Sequence, residues 1–246
     1  MAVNSWASGC VKQAMKKIIP IALLLAASVA AQGSNDEEQG EERPLTTPSQ
    51  RAAESDYVVL AQLEVYDYEE RRDVPVSGDT WVDVLVPYKV PRPAERLKIF
   101  EKGHGERKCY FEDADLWTEL PRYLLFLVDD PDAEGRELTG HPDGCAVPVV
   151  TTTDNQYVVR WPIENMRFDA DVESMVQEFE FHGPGSFIDL EDMLSFEREE
   201  AIERMHLEPM EERRFRYRYT RGIPLSDFRR LLGAENLTRD RIQRGN

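Results

Sequence analysis

The sequence predicts an α+β protein, in which an N-terminal antiparallel β-barrel is followed by an α-rich C-terminal segment packed on it. From Asp56 to Trp161, apolar residues alternate with polar ones or form runs of strand length, and turn residues separate these segments. After Trp161, apolar residues recur at helical spacing. A hydrophobic content of 41% over 246 residues suffices for a packed core. The predicted organisation is a signal peptide at 1–31, an acidic disordered linker at 32–55, a β-barrel domain at 56–161 and an α-rich region at 162–246.

The first 31 residues have the pattern of a secretory signal. Lys12, Lys16 and Lys17 precede an apolar run from Ile18 to Ala31 that ends in small residues. An uncleaved anchor is the alternative, but the run is shorter than the roughly 20 residues that span a membrane, and it contains Pro20. The sequence therefore predicts an exported protein, periplasmic or secreted, with no stable membrane span after cleavage.

The next stretch, 32–55, is rich in acidic residues and proline. It has few apolar side chains whose burial could offset the entropy cost of ordering, which predicts a disordered linker. An acidic tail that docks on a basic partner is the alternative interpretation.

Six predicted strands build the barrel domain, and turn residues separate them. Ser77-Gly78-Asp79 is the first predicted turn, Pro87 forces a second at Tyr88-Lys89, and Asp154-Asn155 supplies the last. A polar loop is predicted over Gly135–Cys145. Hairpin spacing without helical periodicity favours a barrel or a sandwich. The predicted strands are Tyr57–Tyr66, Trp81–Val86, Leu97–Glu101, Tyr123–Val128, Val147–Thr153 and Tyr157–Trp161.

The segment after Trp161 changes in character. Residues 172–179 fit a short helix by spacing, although alternation over 178–181 also fits a strand. A clearer helix is predicted to begin at Asp189, with its glutamates facing solvent. A last helix is predicted over Asp227–Leu232, ended by Gly233.

Two cysteines remain once the leader is removed, Cys109 and Cys145. In an exported chain an isolated pair favours a disulfide over a metal site or a nucleophile. Closing a loop of this length is worth about 3 to 4 kcal/mol when the bond is unstrained.

These strands and cysteines resemble the netrin-like, tissue-inhibitor-of-metalloproteinase-like module. The resemblance rests on Asp56–Ala61, the corner Val86-Pro87-Tyr88-Lys89, Cys109, the run Pro121–Leu127 and Cys145. It implies an OB-like β-barrel over about 56–161. Inhibitors of that family chelate the protease zinc through a cysteine at the mature N-terminus, whereas this chain is predicted to start at Ala31 or Gln32. The inhibitory mechanism therefore does not carry over.

The charge of the chain bears on its partners. With 47 acidic and 30 basic residues the net charge is −17, which argues against nucleic acid and anionic membranes as partners. The stretch Arg213–Tyr219 interleaves arginines with aromatic rings, a pattern that also occurs in single-strand binders. In an acidic exported chain, pairing with an acidic neighbour such as the Glu178/Glu180 segment or the glutamate-rich helix is the favoured interpretation.

No catalytic motif is present, and no cofactor is predicted. His141 and Asp143 have a spacing found in metal sites, but the surrounding Gly and Pro favour a loop, so they are weak metal candidates. The sequence favours an exported, non-catalytic binding or envelope-associated protein whose partner is an unknown protein or small ligand. A hydrolytic enzyme that uses a pair of carboxylates is the alternative, and a metalloprotease inhibitor is a third hypothesis.

Overall fold

The computed structural model describes residues 44–72, 74–104, 108–111, 120–130, 138–169, 171–210 and 213–237. These residues belong to one compact unit, and their fold is mainly β with three short α-helices. The predicted leader and the first part of the predicted linker lie outside the described residues.

Five strands close into a barrel. Their bounds are β1 Tyr57–Arg71, β2 Val74–Lys89, β3 Arg96–Lys102, β4 Arg122–Asp129 and β5 Leu138–Gly140. Antiparallel pairing joins β1 to β2 and β2 to β3, and a parallel pairing joins β3 to β5. β5 then pairs with β4, and β4 pairs with β1, which completes the ring. The predicted strands over 57–66, 81–86, 97–101 and 123–128 are confirmed.

Residues 57–61 of β1 and 124–127 of β4 are buried on both faces of the barrel wall. Val59 and Leu125 point into the barrel, while Val58 and Phe126 point outward, and all four side chains are fully buried. This continuous burial explains why Tyr123–Val128 reads as an unbroken apolar run rather than an alternating one. The inward cluster, here called the barrel core, consists of Tyr57, Val59, Ala61, Leu63, Val82, Leu97, Ile99, Cys109, Phe111, Leu125, Leu127, Leu138 and Cys145.

Strand β5 corrects the sequence prediction. It lies inside the stretch predicted as a polar loop, Gly135–Cys145, of which residues 135–137 are outside the described residues. A three-residue strand has too few residues to show alternation, and its neighbours provide both of its pairings. The barrel therefore closes through a segment without a strand signal of its own.

The first hairpin also differs from its prediction. The predicted turn at Ser77-Gly78-Asp79 is wrong, because β1 and β2 stay paired out to Arg71 and Val74. Gly78 lies opposite Tyr68 within the ladder, and a Cβ there would come within 2.2 Å of the Asp67 carbonyl oxygen. Glycine is thus needed here for close strand approach rather than for a turn.

The predicted corner at Tyr88-Lys89 is wrong as well, because β2 continues through Pro87 to Lys89. β3 pairs only with residues 77–83 of β2, so the other edge of β2 carries no ladder at Pro87. A proline that lacks an N–H is tolerated where a strand is paired on one side only.

The predicted linker at 32–55 is corrected at its end, where residues Pro48–Glu54 form helix α1. Thr47 and Gln50 make a reciprocal capping box at its start, and proline occupies the first turn. Arg51 and Ala52 are fully buried against the barrel. The composition of 32–55 does not predict this helix, because the helix is stabilised by contacts with residues that are distant in the sequence.

The sheet continues past the barrel into the C-terminal segment. The further strands are β6 Ala146–Thr152, β7 Tyr157–Arg160, β8 Gln177–Glu178, β9 Phe181–His182, β10 Phe187–Asp189, β11 Glu208–Pro209, β12 Arg216–Arg218 and β13 Arg221–Pro224. The path of the main sheet runs β4-β6-β7-β13-β8, with β9 added beside β6, and β10, β12 and β11 form a separate small sheet. The predicted strands over 147–153 and 157–161 correspond to β6 and β7.

Two α-helices lie among these strands, α2 over Ser195–Met205 and α3 over Leu225–Leu231. α3 confirms the last predicted helix, and Gly233 follows it with a φ of 79°. The helix predicted from Asp189 begins six residues later, because Asp189 ends β10. With six short strands beside its two helices, the described part of 162–246 does not confirm an α-rich region.

Neither alternative for residues 172–181 holds over the whole stretch. Residues Val172–Met175 form one 3-10 turn, and the two-residue strands β8 and β9 follow. Val172 is buried in the cluster outside the barrel wall, while Gln177 and Glu178 are exposed on the edge of the sheet.

The arginine–aromatic stretch is used within the molecule. Only Arg216–Arg218 is a strand, and Asp189 and Glu208 lie opposite its two arginines. An acidic neighbour was predicted, although these residues belong to β10 and β11 rather than to the predicted segments. The Arg216 guanidinium also stacks on Phe187 at 3.8 Å.

Within the described part of the chain, no helix combines the length and apolar character that crossing a membrane requires.

Candidate functional site

An exposed apolar corner, formed by Met193, Leu194 and Phe196, lies at the start of α2. Phe196 is 65% exposed, Leu194 60% and Met193 40%. Seven large hydrophobic residues are exposed among the described residues, and three of them lie within the four positions 193–196. Single exposed apolar residues are ordinary, but a local group marks a contact surface.

Helix α2 does not use the apolar corner for its own packing. Its one fully buried residue is Ala201, which joins the small cluster with Leu190, Leu207 and Tyr219. Met193, Leu194 and Phe196 take no part in that cluster. The start of the helix is nevertheless held in place, because Arg198 donates to the Leu190 and Met193 carbonyls and stacks on Phe215 at 4.2 Å.

Six acidic residues flank the apolar corner in the chain, between positions 191 and 203. They are all exposed, and Glu197 also accepts a hydrogen bond from the Leu194 amide in the first turn of the helix. A partner that covers the corner would meet this negative rim. The rim residues are Glu191, Asp192, Glu197, Glu199, Glu200 and Glu203.

A groove of about 570 Å³ begins beside the apolar corner, with Met193 at one edge. Its lining is largely apolar and includes Pro148, Ile163 and Met205. Arg204 and Glu164 form an ion pair at 3.0 Å at the groove, and both side chains remain more than half exposed. The groove and the corner together give a mixed surface of the kind that proteins use for binding.

The structure brings the weak metal candidates His141 and Asp143 together with Glu54, which lies in the stretch predicted to be disordered. The ligand atoms of the three residues lie within 4.8 Å of one another. His141 and Asp143 are buried, and Glu54 is exposed. Sequence reasoning missed Glu54, since nothing local in the chain links it to a loop so far along.

The hydrogen bonds of His141 define what this cluster does. The Asp143 amide donates to Nδ1 at 3.2 Å, so the ring proton of the neutral imidazole sits on Nε2. Nε2 faces Glu54 Oε2 at 3.4 Å. A metal-binding histidine normally presents one bare nitrogen and donates through the other, which this arrangement does not allow. The geometry suits a bond between the ring and a carboxylate, which ties α1 to the barrel.

Burial lowers the pKa of His141 below its usual range. The nearby Arg51 guanidinium lowers that pKa further, whereas the carboxylates of Asp143 and Glu54 raise it. Because burial is the largest effect, the neutral ring is favoured in the folded protein.

Two positively charged side chains, Lys89 and Arg51, hold α1 in place. Lys89 Nζ donates to the carbonyls of Ala52 at 3.0 Å, Ala53 at 2.9 Å and Ser55, and so satisfies the last turn of the helix. The buried Arg51 guanidinium donates to the Gly144 carbonyl at 3.3 Å and to the Asn165 carbonyl. Lys89, part of the predicted Tyr-Lys corner, is therefore a helix-capping residue.

Cys109 and Cys145 lie next to each other in the barrel core, with their Cα atoms 5.4 Å apart. This separation is within the range that a disulfide requires. The buried Glu101 carboxylate lies beside them and accepts hydrogen bonds from the amides of Cys109 and Gly140. It links the cysteine loop to β3 and β5.

No family model, curated protein or solved structure matches this chain.

Proposed function

We propose that the chain is an exported, non-catalytic interaction protein that binds a partner protein through the apolar corner Met193, Leu194 and Phe196. The observation that carries the proposal is the exposure of Leu194 and Phe196 on a helix whose start is fixed by Arg198. Large exposed apolar side chains on a fixed element are typical anchors of an interface. The acidic rim supports a partner whose contact surface is apolar at its centre and basic at its edge.

The barrel serves in this proposal as the rigid support. A closed five-stranded barrel with one parallel pair supports an OB-like topology. The netrin-like resemblance belongs to the same proposal, with Cys109 and Cys145 as its disulfide. Their separation and burial support that bond. The lysine-rich start and the apolar run of the first 31 residues support export.

The two cavities described for the molecule do not favour the alternative, a hydrolase that uses two carboxylates. Among the described residues that line them, Glu164 is the one carboxylate. Paired carboxylates in one cleft are what that chemistry requires.

The partner surface can be tested by site-specific crosslinking in the natural host. A photoreactive phenylalanine at position 196 is expected to crosslink to one defined protein, because this side chain is the most exposed of the corner. The same group at Leu85, an exposed apolar residue on β2, is the matched control and should not capture that protein.

Reconstitution with the purified partner completes the test. Phe196→Ser should weaken binding at least tenfold, as expected for an anchor residue, and Leu85→Ser should leave it unchanged. Equal binding by wild type and F196S would contradict the proposal, as would crosslinks that are identical at both positions.

The exported state has its own test. The intact mass of the protein from its host should match a chain that starts at Ala31 or Gln32 and should show two cysteines that react with alkylating reagent only after reduction. A full-length mass with free thiols would contradict both export and the disulfide.

A further inference from the structure

A second cavity, of about 100 Å³, lies at a break in the main sheet. β6 pairs with β4 as far as Val149 and joins β9 from Thr151 onward. The cavity occupies the gap between the two partners and is bounded by Arg122, Gly183 and Gly185 on either side. A water molecule occupies about 30 Å³ in the liquid, so the space suits a ligand of a few non-hydrogen atoms.

The polar lining of this cavity is basic. Arg122, Arg160 and His182 line it, and among the described residues of its lining none carries a carboxylate. This contrasts with the chain as a whole, whose net charge is −17. A basic cavity in an acidic protein concentrates an anion against the general field of the molecule.

Arg160 is held in a fixed position at the cavity. Its Nη1 donates to the Gly185 carbonyl at 3.3 Å, and its guanidinium lies over the Tyr219 ring at 4.1 Å. Among the described residues, no carboxylate lies within 4.0 Å of the Arg160 guanidinium. A guanidinium has five N–H donors, so most of its donors stay available to a ligand.

Arg122 and Tyr123 also line the cavity, from opposite faces of β4. Arg122 is positioned by a bond from its Nη1 to the Thr151 hydroxyl at 3.4 Å and by the Tyr157 ring at 5.5 Å. Burial raises the pKa of Tyr123, while the nearby Arg160 charge lowers it. Its phenol is therefore a protonated donor at neutral pH, close enough to Arg160 to sense its charge.

The remaining lining is apolar and includes Leu120, Pro148 and Val150. We infer that the cavity binds a small carboxylate, whose oxygens accept hydrogen bonds from Arg160 and the Tyr123 hydroxyl and whose short alkyl part contacts Pro148 and Val150. A carboxylate matches the paired donors of a guanidinium. The apolar wall distinguishes this ligand from inorganic phosphate.

Titration calorimetry on the protein purified from its host tests the inference, with acetate, propionate and inorganic phosphate as probes in chloride buffer. Propionate should bind saturably, and acetate should bind more weakly because it lacks one methylene contact. Arg160→Gln should weaken propionate binding at least tenfold. Arg96→Gln is the matched control, since Arg96 lies on β3, lines neither cavity and pairs with Glu64 and Asp83, and it should bind like wild type.

Two more variants keep the test independent of folding. Tyr123→Phe removes a single hydroxyl and should weaken propionate binding severalfold. Arg160→Lys keeps the charge and should bind propionate more tightly than R160Q, with both unfolding midpoints recorded. The inference is overturned if wild type shows no saturable binding, if R160Q binds like wild type, or if phosphate binds as tightly as propionate.

The inference does not depend on the proposed partner surface. Phe196 does not line the cavity, so F196S should bind propionate like wild type. Loss of partner binding with propionate binding intact would therefore separate the two proposals.

Discussion

The barrel wall and the helix α2 segment use apolar residues in opposite ways. In the wall, residues 57–61 of β1 are buried on both faces, and residues Leu124–Leu127 of β4 are all inaccessible to solvent. In α2 a single residue is fully buried, while Leu194 and Phe196 beside it are more than half exposed. Similar side chains therefore stabilise the fold in one region and are left available for contact in the other.

The difference shows where stability and recognition are separated in this molecule. Burial of a large apolar side chain stabilises the fold by roughly 1.5 to 3 kcal/mol. An exposed side chain gains that energy only when a partner covers it. Mutations in the wall should thus change stability, and mutations in the corner should change binding.

One substitution made in both regions gives the largest expected contrast. Phe126→Ala empties a fully buried site and should lower the free energy of unfolding by about 3 to 5 kcal/mol. Phe196→Ala removes an exposed ring and should change it by less than about 0.5 kcal/mol. Urea unfolding of both variants at one pH measures the difference, and similar losses would show that the corner is part of a packed core.

The proposed disulfide between Cys109 and Cys145 comes next in size and belongs to the barrel side of the comparison. Reduction should lower the free energy of unfolding by about 3 to 4 kcal/mol, because the cross-link restricts the unfolded chain. Unfolding of the wild type with and without reductant measures this effect. The double variant Cys109→Ser, Cys145→Ser should be insensitive to reductant, and a wild type that is equally insensitive would contradict a formed bond.

Lys89→Met tests whether α1 belongs to the barrel. It leaves three helix-end carbonyls without their donor and should cost about 1 to 3 kcal/mol. Arg204→Met, which removes an exposed ion pair with Glu164, should cost less than about 1 kcal/mol. Unfolding midpoints rank the two variants. Hydrogen exchange should rise in Pro48–Glu54 for K89M alone.

The smallest expected effect is a pH dependence from His141. Burial lowers its pKa in the folded state, so the unfolded chain binds more protons as the pH falls below about 6.5. Stability should be fully present above that pH and should decrease as the pH falls toward the lowered pKa of the folded protein. Arg51, Asp143 and Glu54 face the ring, and burial outweighs the two carboxylates.

The measurement for His141 is the slope of unfolding free energy against pH between 7 and 5. His141→Gln should flatten that slope relative to wild type. His104→Gln is the control, because His104 is exposed and outside the cluster, and it should keep the wild-type slope. An unchanged slope in H141Q would contradict the assignment.

The strands with strong local patterns could be predicted from the sequence. Tyr57–Tyr66 and Tyr123–Val128 carry enough β-branched and apolar residues to define strands on their own. Leu138–Gly140 could not be predicted, because its strand state depends on β3 and β4 rather than on its composition. The same holds for Pro48–Glu54, whose buried Arg51 has its hydrogen-bond partners at Gly144 and Asn165.

The candidate sites follow the same division. The spacing of His141 and Asp143 was visible in the chain, but their partner Glu54 comes from a stretch without a hydrophobic pattern. Leu194 and Phe196 are ordinary residues of a helix start in the sequence, and only their exposure distinguishes them. Tyr123 and Arg160 line one cavity because β6 changes partners from β4 to β9, which local spacing does not encode.

The position of β5 in the ring determines when the barrel can close during synthesis of the chain. β1, β2 and β3 can pair as soon as Lys102 has emerged from the ribosome or the translocation channel. The ring stays open until Gly140 has emerged, since β5 bridges β3 and β4. Cys145 emerges only five residues later. Closure of the barrel and contact between the two thiols therefore become possible at nearly the same moment of chain synthesis.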